Sequence, residues 1–181
     1  MNNTKSRNIE KRLIKYYYYF NKKNWRAARN ILLSLVKKGE KGFWIYTSIS
    51  ACTYAMRDYK NALKYSKIAY KINPKSPLVL WDYAGLLIML NKETDAIKFY
   101  KRILSKTPEE TGKVQTTAGI RWAKSLLNDC RFKMGLSYFR IYNDKLAKKY
   151  FSEHLKNRKS GLPSLFSKND VKYYLKRLNL N

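Results

Sequence analysis

His154 is the only histidine in 181 residues, and it shares the chain with twelve carboxylates and two cysteines. General acid-base catalysis needs such a group paired with a second polar side chain in a cleft. Here the acids are scattered. No glycine-rich phosphate loop, H-E-x-x-H pair or nucleophile with a base at recognised spacing occurs. Cys52 and Cys130 lack C-x-x-C spacing and a histidine partner, so no metal site or cofactor is expected, and two reduced thiols in a core are. Binding chemistry is better supplied. Aromatic residues make up 15% of the chain, and 39 Lys and Arg stand against 12 Asp and Glu, a formal charge of +27. The expectation is a non-enzyme that binds through aromatic contact area and positive charge.

A register of 34 residues positions these groups. Asn24-Trp25-Arg26-Ala27-Ala28 recurs as Asp58-Tyr59-Lys60-Asn61-Ala62 and again as Lys92-Glu93-Thr94-Asp95-Ala96, and Pro74 and Pro108 keep the step. A fixed period of this size signals stacked supersecondary units, none of which can bury its apolar face alone. Each unit reads as two helices. Ile45, Ile49, Cys52 and Met56 give one helical face between Phe43 and Arg57; Ala62, Tyr65, Ile68, Ala69 and Ile72 give the next, which Asn73-Pro74 stops. Leu78–Leu90 and Thr94–Leu104 repeat the plan before Thr107-Pro108. A small residue at Ala28, Ala62 and Ala96 lets paired helices approach closely.

On these columns the chain resembles the tetratricopeptide-repeat family, whose unit is a 34-residue helix-turn-helix. Gly135, Tyr138, Ala147 and Phe151 carry the resemblance into a fourth unit displaced by 17 residues. The small position of the first helix is Ser50, Ala84 and Gly135 in units two to four but Tyr16 in the first, which also has Glu40 where proline closes the others. The resemblance implies an all-α fold, a right-handed superhelix of about four repeats in one solenoid domain over 1–181. The units are 9–42, 43–76, 77–110 and 128–160, with an insertion at 111–127. Within the insertion, Glu110-Thr111-Gly112-Lys113 reads as a loop, while Ile120, Trp122, Ala123, Leu126 and Leu127 lengthen the next first helix to about six turns. After Ser160-Gly161-Leu162-Pro163, a capping box at Ser167–Asp170 opens a closing helix over about 167–178.

The family's first helices line a concave groove that receives a peptide. Carried over column by column, the resemblance places Tyr17, Phe20, Trp44, Thr47, Tyr54, Trp81, Phe132 and Phe139 along it, with Asp82 and Asp129 the acids nearby. One carboxylate there is expected to meet a basic side chain. His154 aligns with Leu35, Ala69 and Ile103, which marks it as a core position. The run Tyr16-Tyr17-Tyr18-Tyr19-Phe20 points around more than one helical turn, so one stripe cannot bury it all. The lysine and asparagine that clamp a peptide carboxylate in some chaperone-binding members are Leu13 and Tyr17 here, so that clamp is missing.

Charge gives the alternative. Net charge is +10 over 1–42, +5 over 43–110 and +12 over 111–181. Such a field favours an acidic protein partner, or nucleic acid held by Arg12, Arg121, Arg131 and Arg140 with bases stacked on aromatics. Against the second reading, Lys60, Lys64, Lys67 and Lys71 form one stripe of a second helix, the pattern of a solvated outer face. Met1–Ser6 leads into charged sequence with no apolar run behind it, and Leu78–Leu90 is interrupted by Asp82. A cytoplasmic location and no transmembrane segment are expected.

Overall fold

The structure, a computed structural model, describes residues 2–113, 119–158 and 161–179, with side chains described from Arg7 onward. Residues 114–118 of the insertion and Ser160 of the predicted break lie outside them. Ten helices and no strand occur among the described residues. They fall in two compact units, Met1–Leu90 and Asn91–Asn181.

The first unit holds α1 (Asn2–Asn21), α2 (Trp25–Lys37), α3 (Phe43–Ala55), α4 (Tyr59–Ile72) and α5 (Pro77–Met89). Asn24 and Asp58 cap α2 and α4, each accepting a hydrogen bond from the backbone N–H three residues on. Consecutive helices pack side by side, and α5 also meets α3. Ala28 and Ala62 are fully buried, as the close-approach argument requires, and Leu32, Leu35, Ile45, Ile49, Cys52 and Val79 complete the core.

The second unit holds α6 (Glu93–Leu104), α7 (Pro108–Gly112), α8 (Gly119–Arg140), α9 (Asp144–Arg158) and α10 (Lys168–Leu178). Ala96 and Ala147 are fully buried. Gly135 admits the ring of Phe151 so closely that a Cβ would stand 2.7 Å from its Cδ1. At 22 residues α8 has the six turns read from its apolar period. The expected loop after Thr107 is instead a short helix, because Thr107 and Glu110 form a reciprocal capping box and Pro108 sits at the first helical position. Ser167 and Asp170 form the same box at the head of α10.

One backbone device recurs with the register. Lys23, Arg57 and Asn91 have positive φ (57°, 63° and 55°), and Tyr142 has 57°. Each ends a first helix in the left-handed conformation. The next backbone N–H then reaches back to a carbonyl in the last helical turn: Asn24 to Tyr19 (2.9 Å), Asp58 to Thr53 (3.2 Å) and Asn143 to Tyr138 (2.9 Å). These bonds satisfy carbonyls that a helix end would leave open.

Candidate binding surfaces

In the first unit the expected aromatic positions remain partly open. On α3, Trp44, Thr47, Ala51 and Tyr54 share one face, because successive residues advance by about 100°. Trp44 and Tyr54 are each 38% exposed. The Trp44 ring is seated over Gly42, where a Cβ would lie 3.0 Å from the indole nitrogen. On α1, Tyr16 is buried and packs its ring against Tyr17 (4.9 Å) and Phe20 (5.6 Å), whereas Tyr17 and Tyr18 are 56% and 58% exposed. The five-ring run is thus divided between core and solvent. Burial pushes the Tyr16 hydroxyl up to about 12. Phe20, Thr47 and Trp81 are half-buried.

Asp82 accepts a hydrogen bond from Ser50 Oγ at 2.9 Å. The expected basic partner is replaced by a hydroxyl, and burial pushes the carboxyl up to about 6. A half-buried acid held by a neutral donor has less reason to stay ionised than one beside a cation.

The second unit treats its aromatics differently. Phe132, expected in the groove, is 4% exposed. The segment after α9 folds back and stacks Phe166 on it, with centroids 4.0 Å apart and planes 12° from parallel; Phe151 and Tyr174 adjoin the pair. Phe139 packs edge-on against Tyr174 and lies under the Arg177 guanidinium. The chain itself covers both positions. Asp129 fastens the covering segment by accepting from Ser164 Oγ and from the Leu165 N–H (3.0 Å), and its carboxyl is pushed up by burial.

His154 is fully buried, with Nδ1 2.9 Å from the Asn128 carbonyl. Asn128 Nδ2 donates back to the His154 carbonyl at 3.3 Å. Burial lowers the imidazole from its ordinary value, so the ring is neutral near pH 7, and a carbonyl partner makes Nδ1 the protonated nitrogen. The pair ties α8 to α9. No cluster of three or more potential metal ligands, and no helix long and apolar enough to cross a membrane, occurs among the described residues.

The four arginines expected to meet anions separate. Arg131 Nε lies 3.5 Å from Glu153, and Arg140 Nη1 lies 3.3 Å from Glu93, so both are engaged by carboxylates of their own unit. Arg121 is exposed. Arg12 is held by neutral groups, donating to Asn8 Oδ1 (3.1 Å) and Ser34 Oγ (2.7 Å), beside a cleft of about 280 Å³ that Lys11 and Lys15 also line. The α4 stripe of Lys60, Lys64, Lys67 and Lys71 is exposed throughout.

Comparison with known proteins agrees with this architecture. Residues 54–117 match the family described as "Tetratricopeptide repeat". Two crystal structures of MamA are similar: one at 16% identity and TM-score 0.61 over 85% of this chain and 80% of that one, the other at 11% and 0.64 over 94% and 89%. A tetratricopeptide repeat protein from Parabacteroides merdae ATCC 43184 aligns at 15% identity and TM-score 0.56, covering 95% of this chain and 72% of that one. A search of curated proteins by sequence returns no match.

Proposed function

We propose that this chain, a tetratricopeptide-repeat protein, is a non-catalytic cytoplasmic adaptor that holds an acidic protein segment against the first helices of its N-terminal unit. The fold is one that generally mediates protein–protein interaction. The observation that carries the finer reading is the exposure of Tyr17, Trp44 and Tyr54 on α1 and α3, at the family's groove positions. Large rigid rings that keep part of their surface in water are good anchors for a partner. The +27 charge supports an acidic partner by raising the encounter rate. Phe132 and Phe139 drop out of the binding surface because Phe166 and Tyr174 occupy them. The test is a random-peptide display selection on the protein, repeated on a Trp44→Ala/Tyr54→Ala variant. Peptides rich in Asp and Glu around an apolar residue, enriched on the parent only, support the reading; enrichment equal on both sinks it.

A second reading, association with RNA or single-stranded DNA, is favoured by Arg12, a guanidinium held by neutral groups among the described residues beside Lys11 and Lys15. Phosphate contacts release counterions, so affinity for a labelled single-stranded oligonucleotide would fall by about three-hundredfold or more between 50 and 200 mM salt if six or more phosphates are neutralised. Binding that stays tight near physiological salt and is lost in Arg12→Glu would make this the leading function.

A further inference from the structure

The insertion that breaks the 34-residue register contributes Lys124 and Leu127 to a pocket in the second unit. Its lining combines Leu104, Lys106 and Pro108 from the α6–α7 corner, Lys124, Leu127 and Arg131 from α8, and Asn157 and Leu162 from the end of α9 and beyond, around about 300 Å³. The volume is at the small end of the range for ligand sites. Pro108 starts α7, and Lys124 and Leu127 lie on the part of α8 that precedes residue 128, where the fourth unit of the register begins. Lys124 and Leu127 are thus the part of the wall that the insertion supplies.

Its chemistry is one-sided. Three of the eight lining residues are cations and none is an acid. Arg131 is partly offset by Glu153 at 3.5 Å and is oriented by donating to the Leu127 carbonyl at 3.2 Å. The walls are tied down. Asn157 Nδ2 donates to Asn128 Oδ1 at 3.0 Å, within the buried Asn128–His154 pair, and Arg158 Nη1 donates to the Leu162 carbonyl at 2.8 Å. Leu104, Pro108, Leu127 and Leu162 supply an apolar lining between the charges. Cations converging on an apolar recess repel each other until an anion enters, and the leucines reward a ligand that brings an apolar body with that anion.

We infer that this pocket is a binding site for a small organic anion, an acidic head group on a short apolar body. The head group sits between Lys106, Lys124 and Arg131, and the body lies against Leu127 and Leu162. A carboxylate and a phosphate monoester share this chemistry.

The experiment is a titration of the full chain, followed by amide NMR, with phenyl phosphate, hexanoate and inorganic phosphate. The expected result is saturable movement of the Lys124, Leu127 and Arg131 amides and of the Asn157 side-chain amide. One of the two organic anions should bind at least about tenfold more tightly than inorganic phosphate, which tells the two head-group sources apart. Lys124→Glu and Lys106→Glu should each weaken it about tenfold; Lys124 is exposed, so its variant keeps the fold. Non-saturating shifts spread over the exposed lysines, inorganic phosphate binding as tightly as both organic anions, or unchanged affinity in Lys124→Glu would overturn the inference.

Discussion

Ser50 on α3 donates its hydroxyl to the carboxylate of Asp82 on α5 across 2.9 Å, joining two first helices of the N-terminal unit. The bond helps to hold an acid that burial has pushed up to about 6 from an ordinary 3.8. The protonated acid is therefore the form the fold prefers. Its favourable contribution is complete below about pH 4 and disappears as pH rises through 6, costing on the order of 3 kcal/mol by pH 7.5. Asp82→Asn should remove that dependence. Urea unfolding should show the variant more stable than the parent by about 1–3 kcal/mol at pH 7.5 and within about 0.5 kcal/mol of it at pH 4. A variant that is less stable at both pH values contradicts the assignment.

Tyr142 is 92% exposed at φ 57°, so its side chain gains nothing from packing while its Cβ strains the turn. Tyr142→Gly should raise stability by about 0.5–1 kcal/mol, the balance of relieved strain and added unfolded-state entropy. Thermal melts of the two proteins decide it, and a lowered midpoint would show that the Tyr142 ring contributes a contact worth more than the strain.

Gly135 faces Phe151 with no room for a methyl group. Gly135→Ala should force the α8–α9 pair apart and destabilise the second unit by about 1–3 kcal/mol, despite alanine's better helix propensity. Phe166→Ala, which removes the ring stacked on Phe132, should cost about 2–4 kcal/mol. Hydrogen exchange in the second unit is the appropriate readout, with the amides of the first unit unchanged.

Cys52 and Cys130 are free, buried thiols, and burial pushes Cys52 up to about 11 and Cys130 higher than ordinary. The thiolate is the reactive form. Both should resist a disulfide-exchange reagent at pH 8 in the native protein and react fully in denaturant. Fast reaction of one thiol without denaturant would reveal local opening of its unit.

The helical fold was legible because its signals are periodic and local. Asn73-Pro74 stops α4, Ser167 and Asp170 box the start of α10, and the alanine column falls where helices touch. The Thr107–Glu110 box was equally present in the sequence, but Gly112 beside it favoured a loop, and α7 was missed. The left-handed turn positions were hidden because Lys23, Arg57, Asn91 and Tyr142 share a backbone conformation and no side-chain chemistry. The burial of Phe132 was hidden for another reason. Column transfer within a repeat does not show that Phe166, 34 residues on in a non-helical segment, will return to cover it. Asp82 was expected to find a cation because a serine at a small-residue position gives no sign of its donor role.

The central claim is that the exposed aromatic face of α1 and α3, and not the cationic face of α4, holds the partner. The most direct measurement compares affinity for a selected acidic peptide at 50 and 200 mM salt in the parent, in Trp44→Ala/Tyr54→Ala, and in a variant with Lys60, Lys64 and Lys67 all changed to Glu. The account predicts a loss of at least about thirtyfold in the aromatic variant and less than about threefold in the lysine variant at the higher salt. The reverse order would contradict it and move the binding surface to α4.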